Sequence, residues 1–527
     1  LVFWRDFFRI TRENWEFFLR TYHAMNTPLQ PSLADFRELA KLGNTIPIYT
    51  ELIADAESPV SAFQKIDNGG YAFLFESVEK SDQAGRYSFV GSEPRVTFES
   101  RGRTIRIVRE GEVEEFETTR DPLSELEMLM KEFRYVPSPA LGDSRFAGGA
   151  VGYLGYDMVR FFEPTIAPPP ADDLGLPESF FWIAETVLIF DHRTRRLRIV
   201  ANAFVVDQPE EAYRIAAEKI AALAEKLNQP THLPPIYVDQ PPVAIVPTAN
   251  TTREEYLQMA KDGMEYIRAG DVFQFVVSQR FETDYEGDAL TLYRSLRFVN
   301  PSPYMFCMKF AGRFSLVGSS PEVHVRAIDR RIDIRPIAGT RRRGMDAAED
   351  EKNASDLLDD PKERAEHLML VDLARNDVGR AAEFGSVEVS DFMTVEKYSH
   401  VMHIVSNVHG TLRADRTAYD VMRATFPAGT VSGSPKVRAM QIINQLEKNK
   451  RGVYAGAVGY FGFDGNSDSC IALRTVVVKD GKAFVQAGAG IVADSAPESE
   501  HQECVNKAMG MMAAIARAKG ISPLGTR

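Results

Sequence analysis

Cysteine is scarce. The chain of 527 residues holds three, Cys307, Cys470 and Cys504, far apart and in no CxxC arrangement. That pattern argues against a disulfide framework and a zinc knuckle, and it suits a reducing cytoplasm. Long apolar runs are also missing, since none reaches the roughly 20 residues needed to span a bilayer. Basic clustering is weak: beyond Arg341, Arg342 and Arg343 no group of Lys and Arg stands out, and the net charge is −12. Phosphate binding needs clustered cations, so a nucleic-acid or anionic-membrane partner is disfavoured.

The remaining composition is that of an ordinary globular protein with ample apolar residues for a core. The length allows about two to four average domains, or one large intertwined one. Residues 1–24 interleave Phe3, Trp4, Phe7, Phe8, Trp15, Phe17 and Phe18 with Arg and Glu. Charges interrupt any signal-peptide core, so this stretch reads as a translated extension ahead of a start near Met25.

Proline divides the chain. Pro164–Pro177 and Pro230–Pro247 read as connectors, because proline fixes φ and lacks a ladder donor. Between them, Phe181–Ile189 and Leu197–Val205 read as a strand pair. Pro209–Leu227 reads as an amphipathic helix with Tyr213, Ile220, Leu223 and Leu227 on one side. Thr252 and Glu255 form a capping-box pattern opening a helix that Gly270 stops. Val272–Val277 then reads as a buried strand.

The chain echoes itself. Gly85-Arg-Tyr-Ser-Phe-Val-Gly-Ser-Glu-Pro94 resembles Gly312-Arg-Phe-Ser-Leu-Val-Gly-Ser-Ser-Pro321, and Gly149-Ala-Val-Gly-Tyr-Leu-Gly-Tyr-Asp157 resembles Gly456-Ala-Val-Gly-Tyr-Phe-Gly-Phe-Asp464. Two matches in the same order argue for duplicated sheet elements. An α+β fold is expected, with two antiparallel sheets packed face to face and helices outside. The second copy carries an extra block of roughly 80 residues between its matched segments. It also has Glu322 where the first has Arg95, so chemistry is expected in the second copy.

That copy holds a constellation of acids, histidines and glycines. Asp360 caps, and Pro361 opens, a helix presenting Glu363 and Glu366 at i, i+3. Ser495-Ala-Pro-Glu498 reads as a second capping box, before Glu500 and Glu503. Carboxylates from two helices suit Mg²⁺, although each pair alone reads as a solvated face. Ala487-Gly488-Ala489-Gly490 offers backbone N–H groups that can approach an anion closely. Arg474 falls in a strand, Ile471–Val478, which turns through Asp480-Gly481 into a hairpin. An arginine there needs a partner, either an internal acid or a substrate carboxylate. His400 and His403 are both candidates for acid–base work, and one of the two reads as structural.

Several long motifs, in order, resemble the chorismate-utilising enzymes. They are Asn300-Pro-Ser-Pro-Tyr-Met305, Pro336-Ile-Ala-Gly-Thr-Arg341, Glu366-His-Leu-Met-Leu-Val-Asp-Leu-Ala-Arg-Asn-Asp377, Gly433-Ser-Pro-Lys-Val-Arg-Ala-Met440 and Gln486-Ala-Gly-Ala-Gly490. The resemblance covers residues 48–515 and is greatest to the large subunits that form anthranilate. It implies a division into an N-terminal extension and lead-in at 1–47, a regulatory and structural region at 48–228, a proline-rich connector at 229–250 and a chorismate-binding catalytic region at 251–520.

The resemblance also implies roles. Glu366 and Glu503 would bind Mg²⁺, supported by Glu363 and Glu500, and the metal would hold the ring carboxylate of chorismate. Arg474, Tyr454 and the amides of Gly488, Ala489 and Gly490 would hold the enolpyruvyl carboxylate. Gly339, Thr340 and Thr430 would line the ring site, with Thr430 counted in the catalytic set. Glu322 would protonate the departing 4-hydroxyl, ammonia would add at C2, and His403 would take the C2 proton. By the same correspondence His400 falls outside the catalytic set. Relatives that add water carry Lys where this chain has Gln274, and aminodeoxychorismate synthases carry Lys where it has Ala338. Both absences favour ammonia as the nucleophile. No cysteine here sits in a nucleophile elbow, so a separate glutamine amidotransferase subunit is implied as the ammonia source.

Leu74-Phe-Glu-Ser77 resembles the segment by which relatives bind inhibitory tryptophan, and Asn300–Met305 supplies the other wall. Glu76, Ser77, Pro303, Tyr304 and Met305 are therefore the expected tryptophan contacts, with Arg86 and Tyr87 as further neighbours. The competing readings are an aminodeoxychorismate synthase component and a non-catalytic tryptophan-binding paralogue.

Overall fold

The computed structural model describes residues 28–77, 85–138, 141, 145–239, 241–398 and 401–521. The 1–24 extension and His400 lie outside the described residues. Two large sheets of 12 strands each dominate the fold, and the named strands pair antiparallel. The duplication does not give one sheet per copy, because each copy feeds strands to both.

In the first sheet the order runs Thr45–Ile53, Arg196–Phe204, Thr186–Asp191, Tyr87–Ser92, Tyr71–Glu76, then Tyr304–Phe310, Ser315–Ser320, Thr475–Lys479, Lys482–Ile491, Gln274–Asp284. The order reads the same from either side of the central pair, as a twofold relation between the copies requires. In the second sheet the echoed segments meet directly: Gly149–Leu154 pairs with Ala457–Gly462, and Gly152 faces Gly459 at the centre. Both glycines leave no room for a side chain. A Cβ on Gly152 would lie 2.0 Å from the Phe180 carbonyl oxygen, and one on Gly459 2.1 Å from that of Asp468.

Three apolar layers hold the molecule together. Between the sheets lie Phe73, Tyr153, Trp182, Phe310 and Tyr460. Outside the first sheet the helix Pro209–Leu227 buries Tyr213, Ile220, Leu223 and Leu227, the face expected from its spacing. Outside the second sheet pack Leu126, Val371 and Met422 from three helices. Side chains of this kind contribute about 1.5–3 kcal/mol each when fully buried.

Helix starts follow the sequence closely. The Thr252 hydroxyl accepts from Glu255 N at 3.2 Å, and the Glu255 carboxylate accepts from Thr252 N at 2.9 Å. The helix runs Arg253–Arg268, and Gly270 follows at φ +81°. Asp360 caps Pro361–Gly379. Ser495 does not cap Pro497–Lys519: the cap position is Ala496, and the Ser495 hydroxyl instead donates to Glu500 at 2.8 Å.

Three strand expectations differ. Of the expected buried strand Val272–Val277, only Gln274–Val277 belongs to a strand, the longer Gln274–Asp284, and Phe273 ahead of it is exposed. Phe181–Ile189 splits at Glu185 into Ser179–Ala184 in one sheet and Thr186–Asp191 in the other. Likewise Arg474 is not inside a strand. It stands between Ser467–Ile471 and Thr475–Lys479, where the chain crosses between sheets, at φ +47°. The apolar run hides such a crossing, because both segments are buried and periodicity does not mark the break.

Candidate active site

The crossing at Arg474 brings the second copy's chemistry together. Glu322 follows the strand Ser315–Ser320, its carbonyl accepting from Ile471 N at 3.1 Å. Burial pushes its carboxyl up to about 7, against the opposing pull of a hydrogen bond to Thr430 and the charges of Arg474 and Lys507. Thr430 comes from the turn Gly429–Val431, its buried hydroxyl oxygen having no other hydrogen-bond partner among the described residues.

His403 lies in Val401–Thr411, flanked by Ile337–Arg342, whose register shifts between Ala338 and Arg341. The bulge turns backbone toward the imidazole. Nδ1 donates to the Gly339 carbonyl at 2.8 Å, and the Thr340 hydroxyl stands 3.1 Å from the same nitrogen. A carbonyl can only accept, so the proton is on Nδ1 and Nε2 is the basic nitrogen. Burial lowers the His403 pKa; the Gly339 bond and Glu396 oppose that, while Arg474 adds to it. Gly339 itself sits at φ +67°, a conformation that favours glycine.

The glutamates of the two helices also meet. Burial raises the Glu366 pKa, and the neighbouring charges of Glu363 and Glu503 raise it further, while a hydrogen bond from Gln274 lowers it. Burial raises Glu500, and Glu503 adds to it. Glu363 pairs with Arg341 at 2.9 Å and Glu503 with Lys507 at 2.6 Å. Among the described residues no three such side chains close into a metal-binding cluster. Mg²⁺ rarely needs such a cage, since it takes one or two carboxylates plus waters and substrate oxygens. Hard carboxylate oxygens converging from two helices fit that ion.

The glycine strand completes the site. A Cβ on Gly488 would lie 2.7 Å from the Val277 carbonyl oxygen and 2.9 Å from the Tyr454 hydroxyl; one on Gly490 would lie 2.7 Å from Gln274 Nε2. Lys507 Nζ donates to the Gly488 carbonyl at 3.2 Å. Behind them, Arg451 pairs with Glu447 at 2.7 Å and donates to the carbonyls of Val431 and Val276, while Glu447 accepts from Ser278. Sequence reasoning missed Lys507, Arg341, Arg451 and Glu447. Lys507 was recoverable, being at i+4 from Glu503. The buried pair carries no pattern of its own.

The first copy has a counterpart. Arg95 replaces Glu322, Glu185 stands at the same sheet crossing as Arg474, and Lys219 lies as far from Pro209 as Lys507 does from Pro497. All three line a cavity of about 450 Å³. Lys219 pairs with Glu185 at 2.5 Å and Arg95 with Glu110 at 3.5 Å. Ala212 and Ile215 stand where the second copy has Glu500 and Glu503. The counterpart is thus charge-neutralised from within and lacks the carboxylates.

A different cavity, of about 560 Å³, lies where the two copies meet between the sheets. Glu76, Ser77, Pro303, Tyr304 and Met305 all line it, as do Arg86 and Tyr87. Met305 pairs with Glu76 across the central strands. The Tyr304 hydroxyl donates to Asp468 at 2.8 Å and accepts from Arg326 Nε at 2.8 Å. Among the described residues the buried Ser77 hydroxyl oxygen has no hydrogen-bond partner, whereas Glu76 turns to Tyr293 and Arg297.

Residues 72–513 match the chorismate binding enzyme family. The chain is 43% identical to anthranilate synthase component 1 of Acetivibrio thermocellus, over 93% of this chain and 99% of that one. It is 47% identical to the protein of the same name from Aquifex aeolicus, over 92% and 98%. Among solved structures, anthranilate synthase component I from Streptococcus pneumoniae superposes with a TM-score of 0.71 at 36% identity, covering 87% of this chain and 98% of that one. The menaquinone-specific isochorismate synthase of Escherichia coli shares the fold, with a TM-score of 0.65 at 18% identity over 92% and 98%. Among the described residues no helix is long and apolar enough to cross a membrane. With the ordered motifs, the two interleaved sheets and the site at their crossing, these matches show that the chain belongs to the chorismate-binding enzymes, alongside the anthranilate synthase component I proteins.

Proposed function

We propose that the chain converts chorismate and ammonia to anthranilate, pyruvate and water, as the large subunit of an anthranilate synthase serving tryptophan biosynthesis. The observation that carries this reading is the pair Glu322 and His403, two groups around one arginine whose surroundings push them in opposite directions. Burial keeps Glu322 protonated near neutrality, as a general acid must be. Burial keeps His403 neutral, as a base must be.

Glu322 gives its proton to the 4-hydroxyl, which leaves as water while ammonia bonds to C2. His403 Nε2 then takes the proton from C2, the ring becomes aromatic, and the enolpyruvyl group leaves as enolpyruvate, which gains a proton from solvent at its methylene carbon to become pyruvate, while the nitrogen added at C2 loses its extra proton to solvent. Arg474 and Tyr454, with the backbone of Gly488, Ala489 and Gly490, hold the enolpyruvyl carboxylate; Gly339, Thr340 and Thr430 border the ring. Glu366 and Glu503, supported by Glu363 and Glu500, would hold Mg²⁺, which when bound anchors the ring carboxylate and acts as a Lewis acid. Neutral Gln274 hydrogen-bonds Glu366 and offers no base to activate water, and Ala338 offers no amine nucleophile, so the isochorismate-type and aminodeoxychorismate alternatives are not favoured.

Ammonia comes from a separate glutamine amidotransferase subunit, in keeping with the component 1 names of the relatives. Tryptophan is the feedback inhibitor and occupies the cavity lined by Ser77 and Tyr304. Its apolar and polar walls suit an indole with a charged backbone end, and the unsatisfied Ser77 hydroxyl is available to that end. Product analysis with chorismate, Mg²⁺ and ammonium salt tests the activity.

A further inference from the structure

His403 is bordered on both sides of its strand. On one side is the bulge carrying Gly339 and Thr340. On the other, Glu396 of the strand Glu388–Lys397 lies directly opposite His403 in the register. Directly opposed residues of an antiparallel pair share a face. The Glu396 carboxylate does not reach the imidazole by a hydrogen bond. One oxygen pairs with Arg335 and the other accepts from the Tyr398 hydroxyl at 2.8 Å. The Tyr398 ring then meets His403 edge-on, with centroids 5.5 Å apart and planes at 62°. Tyr398 N donates to the Val401 carbonyl at 2.8 Å.

We propose that Glu396 and Tyr398 are positioning residues for His403: Glu396 fixes the Tyr398 ring, the ring sets the imidazole plane, and the Glu396 charge supports the imidazolium formed when Nε2 takes its proton. The inference rests on the reading of His403 as the base. Three groups bear on the imidazole charge besides the Gly339 carbonyl and Thr340 hydroxyl. Glu396 favours the charged form, Arg474 disfavours it, and Arg335, paired with Glu396, is the further cation on that side. Arg474 is committed to substrate under the reading above, which leaves Glu396 as the counter-charge. Arg335, Glu396 and Tyr398 also line a cavity of about 580 Å³ shared with Tyr304 and Arg326.

The test is the pH dependence of kcat and kcat/KM for chorismate at saturating ammonium salt, in the wild-type chain, Glu396→Gln and Tyr398→Phe. Loss of the Glu396 charge is expected to move the acidic limb of kcat down by about half a pH unit. Tyr398→Phe keeps the ring and the Arg335–Glu396 pair, but frees the ring from Glu396. It is expected to lower kcat about fivefold with KM little changed, a fraction of what a general base contributes. A merely structural role would lower activity evenly across pH and leave the limb in place. An unmoved limb in Glu396→Gln overturns the proposal. Should that variant fail to fold, Tyr398→Phe decides, and an unchanged kcat overturns it. His403→Gln tests the base assignment by itself: if it retains turnover, the base assignment fails and the positioning proposal falls with it.

Discussion

His403 Nδ1 donates to the Gly339 carbonyl at 2.8 Å, which commits the imidazole to one tautomer and leaves Nε2 as its basic nitrogen. Because burial lowers the His403 pKa below its ordinary 6.5, the neutral form is populated throughout the neutral range. Turnover is expected to fall only as pH drops below that lowered value. His403→Gln is expected to lose about 10²–10⁴ in kcat, the usual contribution of a general base, while chorismate still binds. Steady-state kinetics beside a chorismate binding titration checks this.

Glu322 sets the other limb. Burial raises it to about 7, so the protonated acid is lost as pH rises through that value. The activity profile is expected to be bell-shaped, with its alkaline side near 7. Glu322→Gln cannot donate a proton, and is expected to lower kcat by about 10² or more and to erase the alkaline limb. A pH profile of the variant's residual activity, at constant free ammonia, reads this out.

Gly488 is required for space rather than for conformation. The nearest obstacle to a side chain, the Val277 carbonyl at 2.7 Å, belongs to the neighbouring strand and cannot swing aside. Gly488→Ala is expected to push these strands apart and displace the Tyr454 hydroxyl, at a cost of about 1–3 kcal/mol. The KM for chorismate should rise, and thermal unfolding compared with the wild-type chain measures the cost.

Arg451 is 2% exposed and holds three parts of the site at once, through Glu447, Val431 and Val276. Arg451→Met leaves the Glu447 carboxylate buried without its cation. A loss of about 3–5 kcal/mol is expected, measured by urea unfolding.

Ser77→Ala removes the buried hydroxyl that faces the cavity between the copies. Inhibition by tryptophan is expected to weaken while uninhibited turnover stays the same. Dose–response curves for the two chains decide it, and unchanged inhibition would remove tryptophan from this cavity.

Much of the architecture was legible because the duplication left its mark in words of sequence. The Gly-Ala-Val-Gly-Tyr repeat marks strands that turn out to pair with each other. Helix starts at Thr252, Asp360 and Pro209 were legible from their caps and prolines. The interleaving of the copies was not. It depends on the crossings at Glu185 and Arg474, where one buried strand follows another and a single charged residue does not reveal that the chain changes sheet. Asp480-Gly481 did announce its hairpin, through positive φ at both positions. At the site, the family resemblance singled out Glu322, His403 and the glutamates as candidates, but not what holds them. Glu396 reads as an edge-strand acid, and Glu447 as a helix-end acid, until the fold sets them against Tyr398 and Arg451.

The most direct test of the central claim is anthranilate fluorescence from the purified chain given chorismate, Mg²⁺ and ammonium salt, with and without tryptophan. The expected result is a rising signal that requires Mg²⁺ and falls when tryptophan is added. Chorismate left untouched by a folded chain, or consumed without anthranilate, would contradict it.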